Sequence, residues 1–250
     1  VVAGLLLPLL ILVLQHDGPG DGPSDRVAAV VGLAVLGAVS TSYVTHASGL
    51  VAAREAGVLK RWRATPLPPR CWFAARIAAT LLLAVASGLA TLLAGAWVDG
   101  LPLDGPRALG AVGALAAGAA AWAALGTAAS AFVPSADAAW PILAVTSLPV
   151  VLLSFGGGDR PGWLSALARA LPAQPVVDGA TRALEGTGGW VPLTPRDALV
   201  LGAWALAGVV VARRRFRWEP TVAGPRRPRR GAGRGRPDGV GTASGPASRM

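Results

Sequence analysis

Charged residues in this chain gather in clusters, and the stretches between them run for roughly 18 residues or more with almost no charge. Such a run is long enough to cross a hydrocarbon layer of about 30 Å as a helix. Without water in that layer every backbone polar group must be paired internally, so only helices or a closed barrel can span it. The runs here are rich in Ala and Leu and lack the ten-residue alternation of a barrel strand. Only 14% of residues are charged, where a soluble domain carries about a quarter. The expected fold is therefore an all-α membrane protein, a bundle of six transmembrane helices.

The spans are expected at about 1–14, 27–53, 73–97, 107–133, 138–155 and 196–213, within a membrane domain covering 1–218. The first run is short for a crossing, and the upstream part of its helix is expected to be missing. Pro134 breaks the fourth run, and Ser135 is placed to cap the fifth, with Asp137 in its first turn. Thr194-Pro195-Arg196-Asp197 reads as a capping box with proline at the first helical position of the last span. Between these two spans, Trp163, Leu164, Leu167, Ala168 and Leu171 recur at helical spacing, and a second short helix starts near Pro175. Both are too short to span and are expected to lie in or near the outer interface. Residues 219–250 are rich in Arg, Gly and Pro and are expected to form a disordered basic tail.

Several chemistries are excluded at this stage. One cysteine, Cys71, rules out an intrachain disulfide, and His16 and His46 have no Cys or carboxylate cluster with which to hold a metal. The only lysine, Lys60, is followed by Arg61 and Trp62, so the chain has no phosphate-binding loop of the G-x-x-x-x-G-K-[ST] type. No pair of ionisable residues inside the spans is arranged for acid–base work, which argues against an intramembrane enzyme. The same shortage counts against a proton-coupled secondary transporter, the alternative reading.

Charge orients the bundle. Of 23 arginines and lysines, 17 fall in the 54–76 segment or after residue 212, whereas 9 of 13 acidic residues fall on the opposite side. The positive-inside rule then puts both termini in the cytoplasm, which requires an even number of spans. Trp62, Trp72, Trp97, Trp140, Trp163, Trp190 and Trp218 lie near span ends, where indole rings anchor at headgroup level.

The segment from Arg54 to Arg70, REAGVLKRWRATPLPPR, carries the most information. A topology-fixing basic loop accounts for its charge but not for its pattern. Glu55 through Arg63 can form a short amphipathic helix with Val58, Leu59 and Trp62 on one face. Thr65-Pro66 then stops it. A helix and a stop at a cytoplasmic turn make a docking surface for a soluble partner.

The pattern R-E-x-G-x-L-K-R-x-R-A-T-P-L after the second of six spans resembles the transmembrane subunit of type-2 ATP-binding-cassette exporters, the bacterial permeases of drug, antibiotic and polysaccharide export. The break at Pro134-Ser135-Ala136-Asp137 and the Leu171-Pro172 turn before the last span fit the same resemblance. It implies a coupling helix that sits in a groove of a separate ATPase subunit, with Glu55, Gly57, Leu59, Arg61, Pro66 and Leu67 in that role. It also implies a second permease copy, ATP used by the partner rather than bound by this chain, and residence in the bacterial plasma membrane. The resemblance also implies an interfacial amphipathic helix before the first span, which is expected to belong with the missing upstream part.

The centre of the second span is rich in hydroxyls. Ser42, Tyr43, Thr45 and His46 are candidates for the substrate path, because polar groups at membrane depth face protein or a cavity. Ser and Thr bonded to their own helix would explain the same residues more simply. Gly110, Ala114 and Gly118 form a small-xxx-small stripe suited to close helix packing. Gly233-Arg234-Gly235-Arg236-Pro237 in the tail looks like a minor-groove hook, but attraction to anionic lipid headgroups is the simpler account, and nucleic acid is not expected as a partner.

Overall fold

The structure, a computed structural model, describes residues 8, 10, 11, 22–58, 61, 68–155, 161–187 and 192–215. Among the described residues every regular element is helical and there is no strand. The first described span is one continuous rod from Ser24 to Glu55, made of α1 (Pro23–Val39), a π-helical segment (Ser40–Thr45) and α2 (His46–Glu55). Then come α3 (Pro69–Val98), α4 (Gly105–Ser130), α5 (Ala136–Phe155), the short α6 (Gly162–Ala170) and α7 (Gln174–Leu184), and α8 (Pro195–Arg215). The first rod, α3, α4, α5 and α8 are long and apolar enough to cross a membrane, which makes five candidate spans. The expected span at 1–14 and the tail 219–250 lie outside the described residues, save for helical residues 8, 10 and 11.

Local chemistry explains the span ends. Thr194 and Asp197 form the expected capping box in both directions. The Thr194 N–H donates to Asp197 Oδ2 (3.0 Å) and the Asp197 N–H to Thr194 Oγ1 (3.2 Å). Ser135 caps α5, its Oγ accepting from the Ala138 N–H (3.3 Å). Asp104 caps α4 by accepting from the Arg107 N–H (3.0 Å). α4 stops at Ser130, three residues short of the expected end, because Pro134 disfavours helix in the residue before it.

Small residues set the spacing of the bundle. A Cβ on Gly208 of α8 would lie 2.7 Å from the Ala124 carbonyl carbon and 2.8 Å from the Leu125 nitrogen, so α8 rests directly on the α4 backbone. Gly126 of α4 likewise faces the Tyr43 carbonyl oxygen, at 3.0 Å from a would-be Cβ. The Gly110/Ala114/Gly118 stripe receives α7: Gly118 packs against Val176, and Ala114 against Gly179.

That contact sets where α7 lies along the bundle. Val176 near its start meets Gly118, while Gly186 just past its end lies beside the Arg107 guanidinium. α7 therefore lines about 16 Å of α4, measured from that helix's first turn. Its face of Val176, Gly179, Ala180, Ala183 and Leu184 is buried against the bundle.

Candidate functional site

The hydroxyl-rich centre of the first rod is where its helix widens. Six residues, Ser40–Thr45, take π geometry, which is rare and costs regular hydrogen bonding. The Ser42 hydroxyl donates to the Ala38 carbonyl (2.6 Å), the local back-bonding that loosens a helix. Gly126 lets α4 come close to the carbonyls that the widened turn presents.

On one side of this segment lies a cavity of about 260 Å³, lined by Tyr43, Trp122, Thr146, Leu171, Pro172 and Trp204 among others. Tyr43 and Trp122 meet edge to face, with centroids 5.4 Å apart. The Tyr43 hydroxyl pairs with Thr146 Oγ1 (3.2 Å), and Thr146 also donates to the Leu143 carbonyl (3.0 Å). Trp204 of α8 donates its indole N–H to the Ala170 carbonyl (2.8 Å), which holds the α6–α7 tip at the cavity wall. Among the described residues, no charged side chain lines the cavity. It suits a largely apolar molecule and is slightly smaller than the roughly 300–1,000 Å³ of most ligand sites.

Below the cavity, His46 is buried, with 3% of its surface exposed. Its Nδ1 bonds Thr80 Oγ1 of α3 (2.8 Å) and its Nε2 bonds Thr127 Oγ1 of α4 (3.0 Å). Each threonine also donates to its own helix, Thr80 to the Arg76 carbonyl (2.9 Å) and Thr127 to the Ala123 carbonyl (2.8 Å). One imidazole thus joins three helices. Arg76 lies against Gly49, with its guanidinium carbon 5.6 Å from the centre of the Trp72 ring.

At the end of the rod, Arg54 is 1% exposed. Its Nη1 donates to the Ser130 carbonyl (3.1 Å) and its Nη2 to the Val133 carbonyl (2.6 Å). Next to it, Glu55 Oε1 accepts from the Ala136 N–H (2.9 Å). The chain then turns. Gly57 has φ +67°, a left-handed conformation that suits glycine, and Val58 and Arg61 are helical again.

The expected helix from Glu55 to Arg63 is therefore divided at its start. Glu55 belongs to the rod, and a turn at Ala56–Gly57 precedes the helical residues beyond. Gly57 and Arg61 follow that turn; Leu59, Pro66 and Leu67 lie outside the described residues. Of the path candidates, Tyr43 lines the cavity and His46 joins the two threonines. Ser42 is buried on its own helix, and Thr45 closes the π segment half-buried. Sequence reasoning did not find Trp122, Thr146, Trp204, Thr80, Thr127 or the contacts of Arg54. Single polar or aromatic residues inside a span give no signal of which neighbour they meet.

Among the described residues no group of His, Cys, Asp and Glu is arranged to hold a metal ion. No curated protein and no solved structure matches the chain. The family profile described as ABC-2 family transporter protein matches residues 21–214, across all five described spans, and the chain belongs to that family: it is the membrane subunit of an ATP-binding-cassette transporter.

Proposed function

We propose that this subunit is the permease of a bacterial exporter, driven by a separate ATPase that docks on the segment from Arg54 to Arg70. In this reading, residues 1–218 form six spans with both ends in the cytoplasm, residues 219–250 form a basic tail at the lipid surface, and two permease copies assemble around a two-fold axis. Gly57, Leu59, Arg61, Pro66 and Leu67 present the docking surface, and Glu55 sets where it begins. ATP is bound and hydrolysed by the partner. The cavity beside Tyr43 is a stretch of the substrate path.

The observation that carries the reading is the turn itself. Gly57 at φ +67° follows the end of the rod, and Arg61 beyond it is exposed, so the chain turns at Ala56–Gly57 instead of extending the span. ATP binding would draw two such segments together and favour one of two bundle states by differential binding. The test is co-purification with ABC ATPase subunits from the same organism. Leu59→Asp with Arg61→Glu is expected to lose both the ATPase and ATP-driven transport. If both survive, the docking assignment is wrong.

A further inference from the structure

The α4–α5 turn, residues 131–135, interrupts two helices at the same end of the bundle as the turn after Glu55. The two broken ends have opposite needs. α4 finishes with carbonyls that lack helical partners and with the negative end of its dipole; α5 begins with free N–H groups and the positive end. Two adjacent residues of opposite charge, both on α2, meet these needs. The Arg54 guanidinium takes the carbonyls of Ser130 and Val133, and the Glu55 carboxylate takes the N–H of Ala136. Each charge therefore sits at the helix end whose dipole it complements, and Arg54 does so almost wholly buried, where such contacts are strongest.

We propose that Arg54 and Glu55 are a positioning clamp that joins the two turns at this end of the bundle, so that displacement of the first turn carries the α4–α5 turn with it. The inference rests on the reading of the segment just beyond Glu55 as the ATPase-docking turn. That turn begins at the next residue, Ala56, so the lever between docking surface and clamp is a residue or two long. α5 in turn carries Thr146, about 15 Å of helix beyond Ala136, to the Tyr43 hydroxyl in the cavity wall. A push at the docking turn thus has a continuous bonded route to the cavity: Glu55, the first turn of α5, Thr146, Tyr43. Glu55 faces its own chain, so its carboxylate serves coupling and not adhesion to the ATPase.

Spin-label distance measurements test this in lipid nanodiscs. In a Cys71→Ser background, labels go on the exposed positions Ala56→Cys and Phe132→Cys. A second pair joins Ala56→Cys to Trp97→Cys, an exposed position on the last turn of α3. With the wild-type clamp, the 56–132 distance is expected to be single, narrow and the same with and without a non-hydrolysable ATP analogue on the bound ATPase, while the 56–97 distance shifts. Glu55→Ala is expected to broaden 56–132 and make it nucleotide-dependent. It should keep the ATPase bound while lowering ATP-driven transport about tenfold or more. Glu55→Gln, which retains the acceptor oxygen, should keep the narrow distribution. A wild-type 56–132 distance that moves with nucleotide as much as 56–97, or a Glu55→Ala distribution that stays narrow, would overturn the clamp. Should Glu55→Ala fail to fold, the wild-type pair decides by itself. If no ATPase co-purifies, the docking reading fails, and the wild-type and Glu55→Ala distributions of the chain alone still decide the clamp.

Discussion

Replacing His46 with leucine removes both bonds that tie the first rod to α3 and α4, at 2.8 and 3.0 Å. The cost depends on what the two threonines do afterwards. A buried hydroxyl left without a partner would add about 1–3 kcal/mol. Here neither is stranded, because Thr80 still reaches the Arg76 carbonyl and Thr127 the Ala123 carbonyl. What remains is the net loss of one hydrogen bond between helices, because a neutral imidazole brings one hydrogen to the two contacts; such a bond is worth about 0.6 kcal/mol on average and about 1.7 at most in membrane proteins. His46→Leu is thus expected to destabilise the subunit by about 1 kcal/mol. The assay is reversible unfolding by SDS in mixed micelles. Thr80→Val and Thr127→Val complete double-mutant cycles, each with a coupling of about 0.6 kcal/mol. A loss above about 2 kcal/mol would exceed what that bond can supply and refute the reasoning. Transport is expected to persist in His46→Leu. If it vanished with stability intact, His46 would be carrying protons, and secondary transport would become the better reading.

Further outcomes follow from the packing and the outer arm. Gly208→Ala puts a methyl against the backbone of Ala124 and Leu125, which cannot rotate away, so it should cost about 1–3 kcal/mol in the same unfolding assay. Thr194→Ala removes one half of the capping box and should cost about 1 kcal/mol, read as a lower melting temperature of the purified subunit. Burial pushes the Asp178 carboxyl up from its ordinary value of 3.8, and Asp197 adds to this in a small way. The Gln174 amide, Arg182 and Arg169 oppose it without cancelling it. An acid with a raised folded-state pKa costs nothing while both states are protonated and destabilises as pH rises past the unfolded value. Asp178→Asn should therefore melt higher than wild type at about pH 7, with the gain fading toward about pH 4.

Much of the architecture was legible in the sequence because membrane spans are set by apolar length, a property of composition alone. The run expected at 27–53 is the rod Ser24–Glu55, and that expected at 196–213 is Pro195–Arg215. Caps were legible too, since Thr194 and Asp197 act within three residues of each other. What stayed hidden depends on distance along the chain. Arg54 looks like one more loop charge until α4 is seen to end beside it. A π turn has no residue signature, and the hydroxyls of Ser40–Thr45 mark only that something departs from a regular helix. The packing of α7 along α4 escaped because its length argues against spanning but says nothing of which helix it meets. The small stripe at Gly110, Ala114 and Gly118 was the trace of it, readable only once its partner was known.

The hydrogen count around His46 has a consequence of its own. Four bonds meet there: imidazole to Thr80, imidazole to Thr127, and each threonine to its own helix. A neutral imidazole brings one hydrogen and the two hydroxyls one each, so three hydrogens serve four bonds. One link is always empty, and a hydroxyl rotation or a change of tautomer moves the vacancy from one helix to another. The joint between the first rod, α3 and α4 is thereby a degenerate one. Small slips of one helix past its neighbours are met by dealing the same three hydrogens out afresh, which gives a buried contact the give of a hinge.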